Sequence, residues 1–413
     1  RFGAHDPVAG IDRNIANARS FSPQSTYAAM AALHTAVVRA PAGARAARCG
    51  AQPGQTYDAR GMKTPENPSS PSGSQENAAV LITGAGGEVG HGLIRALSAQ
   101  GHHDIVAIDI RELDAEIREL CVETFVGDIC DEALLGRLMA TFEVYEIFHL
   151  AALLSTRGES SPELAHDVNV GGTIQLLKLA AQQASASGSP VRFVFPSSIA
   201  AYGIPDLATK VAAGAVHEDQ HLEPITMYGC NKLYCEHLGR YYSRHYRLLA
   251  KDRVPDLIDF RAVRFPGLIS ADTVPSGGTS DYAPEMIHAG AKGEPYACFV
   301  RADAQIPFMT MPDAIDALLA LAAADREKLT RLVYNLGSFA PTAGEIAHLV
   351  EGAFPGAQIT FAPDTQRQAI VDSWPADVDD GAARRDWGFA PRHDLAKAFD
   401  DYLVPSIRAR YAR

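Results

Sequence analysis

Two short strings hold the residues best suited to chemistry. Tyr228-Gly229-Cys230-Asn231-Lys232 sets a phenol and an ammonium four residues apart. On a helix that spacing puts both side chains on one face. A phenol with a reference pKa of ~10 is a poor base at neutral pH, but a nearby ammonium favours the phenolate. Tyr228 can then take the proton of a substrate hydroxyl, and Lys232 can also reach a ribose hydroxyl. Phe195-Pro196-Ser197-Ser198 lies upstream at the end of an apolar run. A serine there can hold the reacting oxygen beside the phenol. Ser198 is expected in that role, and Ser197 is expected to touch the substrate elsewhere.

A second constellation fits a dinucleotide. Thr83-Gly84-Ala85-Gly86-Gly87-Glu88-Val89-Gly90 places glycines at 84, 87 and 90, directly after the apolar run Ala78–Thr83. Glycine lets the backbone turn tightly against a pyrophosphate, and the helix that follows offers free N–H groups at Glu88 and Val89. Asp109 ends the next apolar run, Ile105–Ile110. A carboxylate there accepts hydrogen bonds from an adenosine ribose and repels a 2′-phosphate, so NAD is expected over NADP, with Ile110 beside it. Asp128 and Ile129 follow a third short run and are expected near the adenine. Leu150, Ala151 and Ala152, and later Pro266, leave further strands on the same side and complete the expected cofactor contacts.

These positions need a scaffold of strands alternating with helices. Strands are expected at Ala78–Thr83, Ile105–Ile110, Phe125–Gly127, Ile147–Leu150, Arg192–Phe195 and Asp259–Phe265. Helices are expected after the glycine turn, over Leu134–Phe142, over Asp167–Gln183 and over Met227–Tyr246. The pattern predicts an α/β fold, a doubly wound parallel sheet of Rossmann type, with ligands at the carboxyl ends of the strands. Residues 78–266 read as the dinucleotide-binding domain. Residues 267–413 read as a smaller, interleaved substrate lobe with parts that return to the sheet. Residues 1–77 are rich in Ala, Gly, Pro, Ser and Arg, and read as a disordered extension outside the fold. Met62 is a plausible start of translation, and an organelle transit segment is the rival reading.

A net charge of −12 argues against nucleic acid or an anionic membrane as partner. No run reaches the ~18 apolar residues of a membrane span. The six cysteines are scattered without Cys-x-x-Cys or zinc spacing, so no metal is expected and the thiols suit a reducing compartment such as the cytoplasm, or the mitochondrion if a transit segment is present.

The glycine turn, the serine pair and the Tyr-x-x-x-Lys together resemble the extended short-chain dehydrogenase/reductase family, which includes NAD-dependent epimerases and dehydratases. Later strings are similar to its L-threonine 3-dehydrogenase branch: Arg264-Phe265-Pro266-Gly267-Leu268-Ile269-Ser270, Ser276-Gly277-Gly278-Thr279-Ser280-Asp281-Tyr282-Ala283, and Arg367-Gln368-Ala369-Ile370-Val371-Asp372-Ser373-Trp374-Pro375. That resemblance implies NAD-dependent oxidation of the C3 hydroxyl of L-threonine, or of a close 3-hydroxy amino acid, by a homodimer. It implies Ser155, Thr279, Ser280 and Asp281 around the substrate and Trp374 closing its pocket. The nucleotide-sugar branch carries a late Arg-Asp-aromatic motif. Ile306-Pro307-Phe308-Met309 stands there instead. Leu248–Asp256 reads as an insertion before the sixth strand.

Overall fold

A computed structural model describes residues 77–275 and 277–412 of the chain. The expectations for residues 1–76, and for Cys49 among them, lie outside the described residues. Seven strands form the main sheet: β1 (Ala78–Thr83), β2 (Ile105–Asp109), β3 (Glu123–Val126), β4 (Glu143–His149), β5 (Val191–Ser198), β6 (Ile258–Phe265) and β7 (Val333–Asn335). Their order is β7-β6-β5-β4-β1-β2-β3, and every pairing is parallel. The chain winds outward from β1 in one direction and from β4 in the other. A crevice therefore opens between the carboxyl ends of β1 and β4.

Side chains alternate across a strand, so each central strand feeds two cores. In β1, Val80 and Ile82 pack on one face, and Ala79 and Leu81 on the other. The principal helices are α1 (Glu88–Ala99), α2 (Glu132–Thr141), α3 (Gly172–Ser187), α4 (Met227–Arg244), α5 (Tyr282–Lys292), α6 (Met311–Ala323) and α7 (Thr365–Ser373). Leu93, Ile94 and Leu97 of α1 and Leu318 and Leu321 of α6 cover the first face. Leu135 of α2, Leu176 of α3 and Cys235 of α4 cover the second. A third core gathers Tyr282, Met286, Phe299, Phe308, Val371 and Trp374. Among the described residues no helix is long and apolar enough to cross a membrane.

The differences from expectation have physical causes. β4 begins at Glu143, ahead of the apolar run, because Glu146 is buried against Arg192, whose Nη1 donates to its Oε1 at 2.9 Å. The expected helix from Asp167 opens with a π-helical turn, Asp167–Gly171, before α3 begins. β7 has only three residues and left no readable run in the sequence, yet it pairs with β6 from Val333↔Ala262 to Asn335↔Arg264. β6 is buried throughout despite three charged residues. Arg261 is neutralised by Asp259, with Nη2 to Oδ2 at 2.6 Å, and its Nη1 donates to the carbonyls of Leu321, Ala322 and Ala324, capping the carboxyl end of α6.

α4, the helix that carries Tyr228 and Lys232, lies very close to β6. A Cβ added at Gly239 would come within 2.2 Å of the Phe260 ring. Gly239→Ala should therefore destabilise the fold by about 1–3 kcal/mol through overpacking, read as a lower urea midpoint at unchanged slope. An unshifted midpoint would contradict this packing.

Candidate active site

The glycine turn meets the exit of β4 across the crevice. Gly84 has φ +69°, and a Cβ there would lie 2.6 Å from the Ala151 nitrogen. Gly90 is equally confined, since a Cβ would meet the Ala85 carbonyl oxygen at 2.5 Å. α1 thus begins directly over the turn, with Gly87 at its N-cap and no side chain bonded there. Among the described residues the first N–H groups of the helix, at Glu88 and Val89, have no side-chain partner, and they can meet an anion. Asp109 ends β2 and accepts from Gly86 N at 2.9 Å and Arg111 N at 3.1 Å. The same carboxylate keeps lone pairs for a ribose hydroxyl. These features fit a dinucleotide: a turn too tight for side chains, free donors at a helix terminus, and an acid at the second strand end. Gly86 belongs to this set, and its bond to Asp109 was not readable from spacing.

The remaining expected cofactor positions are placed as follows. Ile110 is exposed beyond β2. Asp128 turns its carboxylate to Cys130 N at 2.9 Å, while Ile129 is buried where α3 begins, touching the space a Cβ on Gly172 would fill. Leu150, Ala151 and Ala152 are half-buried at the exit of β4, and Pro266 is buried after β6.

A buried hydrogen-bond chain fixes the β4 exit. Thr173 Oγ1 donates to the Asn169 carbonyl at 2.5 Å, so it accepts from His149 Nε2 at 2.9 Å. His149 Nδ1 then accepts from Thr83 Oγ1 at 2.8 Å. Thr83 Oγ1 also accepts from Ala151 N at 3.3 Å. Each member is satisfied only with a neutral imidazole, consistent with burial lowering the His149 pKa to about 3, helped by Lys232. Asn169, in the π-helical turn, accepts from Leu153 N at 2.7 Å and donates to Leu153 O at 3.0 Å. The loop leading to Ser155 is thereby pinned. Asn169 lay inside a run that read simply as helix.

Thr226 caps α4 by accepting from Gly229 N at 3.1 Å, which presents Tyr228 in the first turn. Ser198, at the end of β5, lies beside the Tyr228 phenol and accepts from Ala200 N at 3.1 Å. Burial raises the phenol to about 12, and the neighbouring Ser198 hydroxyl opposes that rise. Lys232 is 5% exposed, and its Nζ donates to Pro196 O at 2.7 Å and lies 5.6 Å from the Tyr228 ring centroid. Burial lowers its pKa to about 8, with Cys235 and Glu236 acting the other way. The ammonium is therefore still the main form at neutral pH.

Ser197, expected to touch the substrate, is buried and faces away from the phenol. Neighbours on a strand point to opposite faces, so turning Ser198 to Tyr228 turns Ser197 away. Its hydroxyl donates to Glu236 Oε1 at 2.5 Å, inside a buried ion pair where Arg264 donates Nε to Oε1 at 2.9 Å and Nη2 to Oε2 at 2.6 Å. Ser197 thereby joins the end of β5 to α4 and β6. Glu236 was readable in principle, because Tyr228, Lys232 and Glu236 repeat every four residues on one helix face.

Residues that follow β6 reach the same cleft. Ser155 Oγ and Thr279 Oγ1 stand 3.1 Å apart across 124 positions of sequence, and Thr156 Oγ1 donates to Gly277 O at 3.0 Å. Asp281 Oδ2 accepts from Gly277 N at 3.0 Å and Gly278 N at 2.7 Å, holding the loop shut, with Ser280 half-buried beside it. Desolvation, then the carboxylates of Asp281 and Asp272, raise the Glu88 pKa to about 7, so α1 and this loop share one electrostatic environment. Arg367 of α7 donates to Gly278 O at 2.6 Å and stacks on Phe299. Trp374, after α7, is buried in the second core.

Residues 80–337 match the model of the NAD dependent epimerase/dehydratase family. The mitochondrial L-threonine 3-dehydrogenase of Bos taurus is 34% identical over 324 residues, covering 76% of this chain and 79% of that protein. The L-threonine dehydrogenase of Cupriavidus necator in its holo form is 34% identical with a TM-score of 0.70, covering 80% of this chain and 99% of that one. A monomeric L-threonine 3-dehydrogenase from a metagenome, in its apo form, gives the same identity, TM-score and coverage.

Gly84→Ala tests the cofactor cradle. Left-handed backbone strain and the collision with Ala151 should weaken NADH binding by roughly tenfold or more, read by fluorescence titration, with the far-ultraviolet spectrum retained. Unchanged affinity would place the dinucleotide elsewhere.

Proposed function

The chain belongs to the NAD-dependent epimerase/dehydratase family and is a nicotinamide-dependent oxidoreductase, and from that premise we propose that it uses NAD to oxidise the C3 hydroxyl of L-threonine, or of a close 3-hydroxy amino acid, to the 2-amino-3-oxo acid. The observation that carries the reading is the Ser198–Tyr228 pair above a buried Lys232, faced by the Ser155–Thr279 contact from the second lobe. Similarity to L-threonine dehydrogenases over most of the chain supports the choice of substrate.

Gly84, Gly86, Gly87, Glu88, Val89, Gly90 and Asp109 would hold the dinucleotide, and bound NAD supplies the acceptor for the C3 hydride. Ser198 holds the C3 oxygen beside the phenol. Tyr228 takes the hydroxyl proton, leaving the electron pair of the O–H bond to form the carbonyl as the C3–H electrons depart. Lys232 favours the phenolate by its charge and stays oriented through the Pro196 carbonyl. Thr279, Ser280, Asp281 and Ser155 supply donors and acceptors for a zwitterion, and the Thr156–Gly277 and Arg367–Gly278 bonds hold that wall in place. Assembly as a homodimer through α3 and α4 belongs to the same reading, with Tyr234 and Tyr241 of α4 exposed.

NADH absorbance with a panel of 3-hydroxy amino acids should show L-threonine as the best substrate, and NAD strongly preferred over NADP because Asp109 repels a 2′-phosphate. Tyr228→Phe should cut turnover by about 10²–10⁴-fold while NAD still binds. The phenolate is the active form, so kcat/KM for oxidation should rise with pH, through an apparent pKa that moves upward in Lys232→Met. Near-normal L-threonine oxidation by Tyr228→Phe would remove the proposed base. Equal use of NADP would remove the role of Asp109.

A further inference from the structure

The opposite end of the sheet holds a second candidate binding site. A cavity of about 340 Å³ opens at the amino end of β6 and the carboxyl end of α4, far along both elements from Tyr228 and Pro266. That size is at the small end of the range for small-molecule sites, ~300–1,000 Å³. Four arginines line it, Arg244, Arg253, Arg326 and Arg331, against two acids, Asp256 and Asp259. In a chain of net charge −12 such a local cationic excess is unusual.

The ion pairs there cancel only in part. Asp259 is taken by Arg261, Asp256 by Arg326 at 2.9 Å, and Arg331 faces Glu218 at 3.4 Å. Arg244 and Arg253 make no ion pair among the described residues. Arg253 is nonetheless held in place, its Nε donating to Tyr246 O at 3.1 Å and its Nη2 to Arg244 O at 2.9 Å. Those carbonyls orient the guanidinium without neutralising it, and the bonds also offset the negative carboxyl end of α4. The insertion Leu248–Asp256 is the segment that delivers Arg253. A further observation is Ser243, which is 6% exposed, lines the cavity, and has a hydroxyl without a hydrogen-bond partner among the described residues. Phe260 and Leu329 give the cavity an apolar wall.

We propose that this cavity binds a small organic oxyanion, a phosphate ester or a carboxylate, between Arg244, Arg253 and the Ser243 hydroxyl. Two uncompensated guanidiniums supply charge-assisted donors, the Ser243 hydroxyl supplies a neutral one, and the apolar wall takes the carbon part. The site is separate from the dinucleotide crevice and independent of which amino acid the enzyme oxidises.

Isothermal titration of the full chain tests it, run with and without saturating NADH, because phosphate could also bind at the start of α1. Inorganic phosphate and succinate are the two probes. One equivalent of one probe should bind with NADH present, more weakly as salt rises. Arg244→Gln should weaken that binding by roughly tenfold or more, and Arg253→Gln likewise. Arg253→Gln also uncaps α4, so Arg244→Gln, whose side chain makes no hydrogen bond or ion pair among the described residues, is the decisive variant. Binding of phosphate alone assigns a phosphate ester, and binding of succinate alone a carboxylate. Binding of neither probe, or binding indifferent to Arg244→Gln, overturns the proposal. Failure of NADH itself to bind would instead count against the proposed function.

Discussion

The bidentate pair between Glu236 and Arg264 is the constraint on which the catalytic end depends. Both side chains are nearly inaccessible to water, at 4% and 2% exposure. Such a pair gains little net stability, because desolvation offsets attraction, but removing one partner costs about 3–5 kcal/mol. Its value is geometric. Glu236 stands one turn beyond Lys232 on α4, and Arg264 ends β6. Ser197 brings the end of β5 into the pair, and Arg264 Nη1 donates to Glu218 O at 2.8 Å. Glu218 Oε1 in turn accepts from Asn335 N of β7 at 3.2 Å. Tyr202, under the Arg264 guanidinium at 4.7 Å, donates to Asn335 Oδ1 at 2.7 Å. Three strand ends and the catalytic helix therefore meet at one charge pair, and the rotation of α4 that aims Tyr228 at Ser198 is fixed from below.

A second tie acts on the cofactor side. Thr83, His149 and Thr173 link the end of β1, the end of β4 and the start of α3 in a chain with one consistent set of donors and acceptors. The absence of a Cβ at Gly84 lets β1 and the β4 exit approach, and the imidazole holds them at that separation. A neutral histidine is required, which its burial provides. The crevice is thus shaped before any ligand enters, and binding need not spend free energy on arranging the turn.

The wall that faces the crevice is built differently. It is a loop, Gly277–Asp281, held by side-chain bonds from Thr156, Ser155 and Arg367 and not by sheet pairing. Few bonds and partial exposure are the ordinary features of segments that open locally at low cost. The crevice side is rigid because it is made of strand ends. The facing wall is made of segments from three distant parts of the chain, which allows related folds to take different substrates without changing the sheet.

The strand–helix alternation, the glycine turn with Asp109, and Tyr228 with Lys232 were legible in the sequence. Each is a local pattern: a period, a conformational requirement or a helical spacing that neighbouring residues impose on one another. Ser198 was expected beside the phenol and Ser197 at the substrate, but no local pattern announces that the pleat of β5 turns the Ser197 hydroxyl to Glu236. Glu146 hid the first residues of β4 from hydropathy, because a buried charge looks exposed until its partner is known. β7 was too short to show any period at all. The meeting of Ser155 with Thr279, the neutral state of His149, and the union of Glu236 with Arg264 belong to tertiary structure alone. They depend on distances between residues far apart in the chain, and those distances exist only once the sheet has ordered its strands.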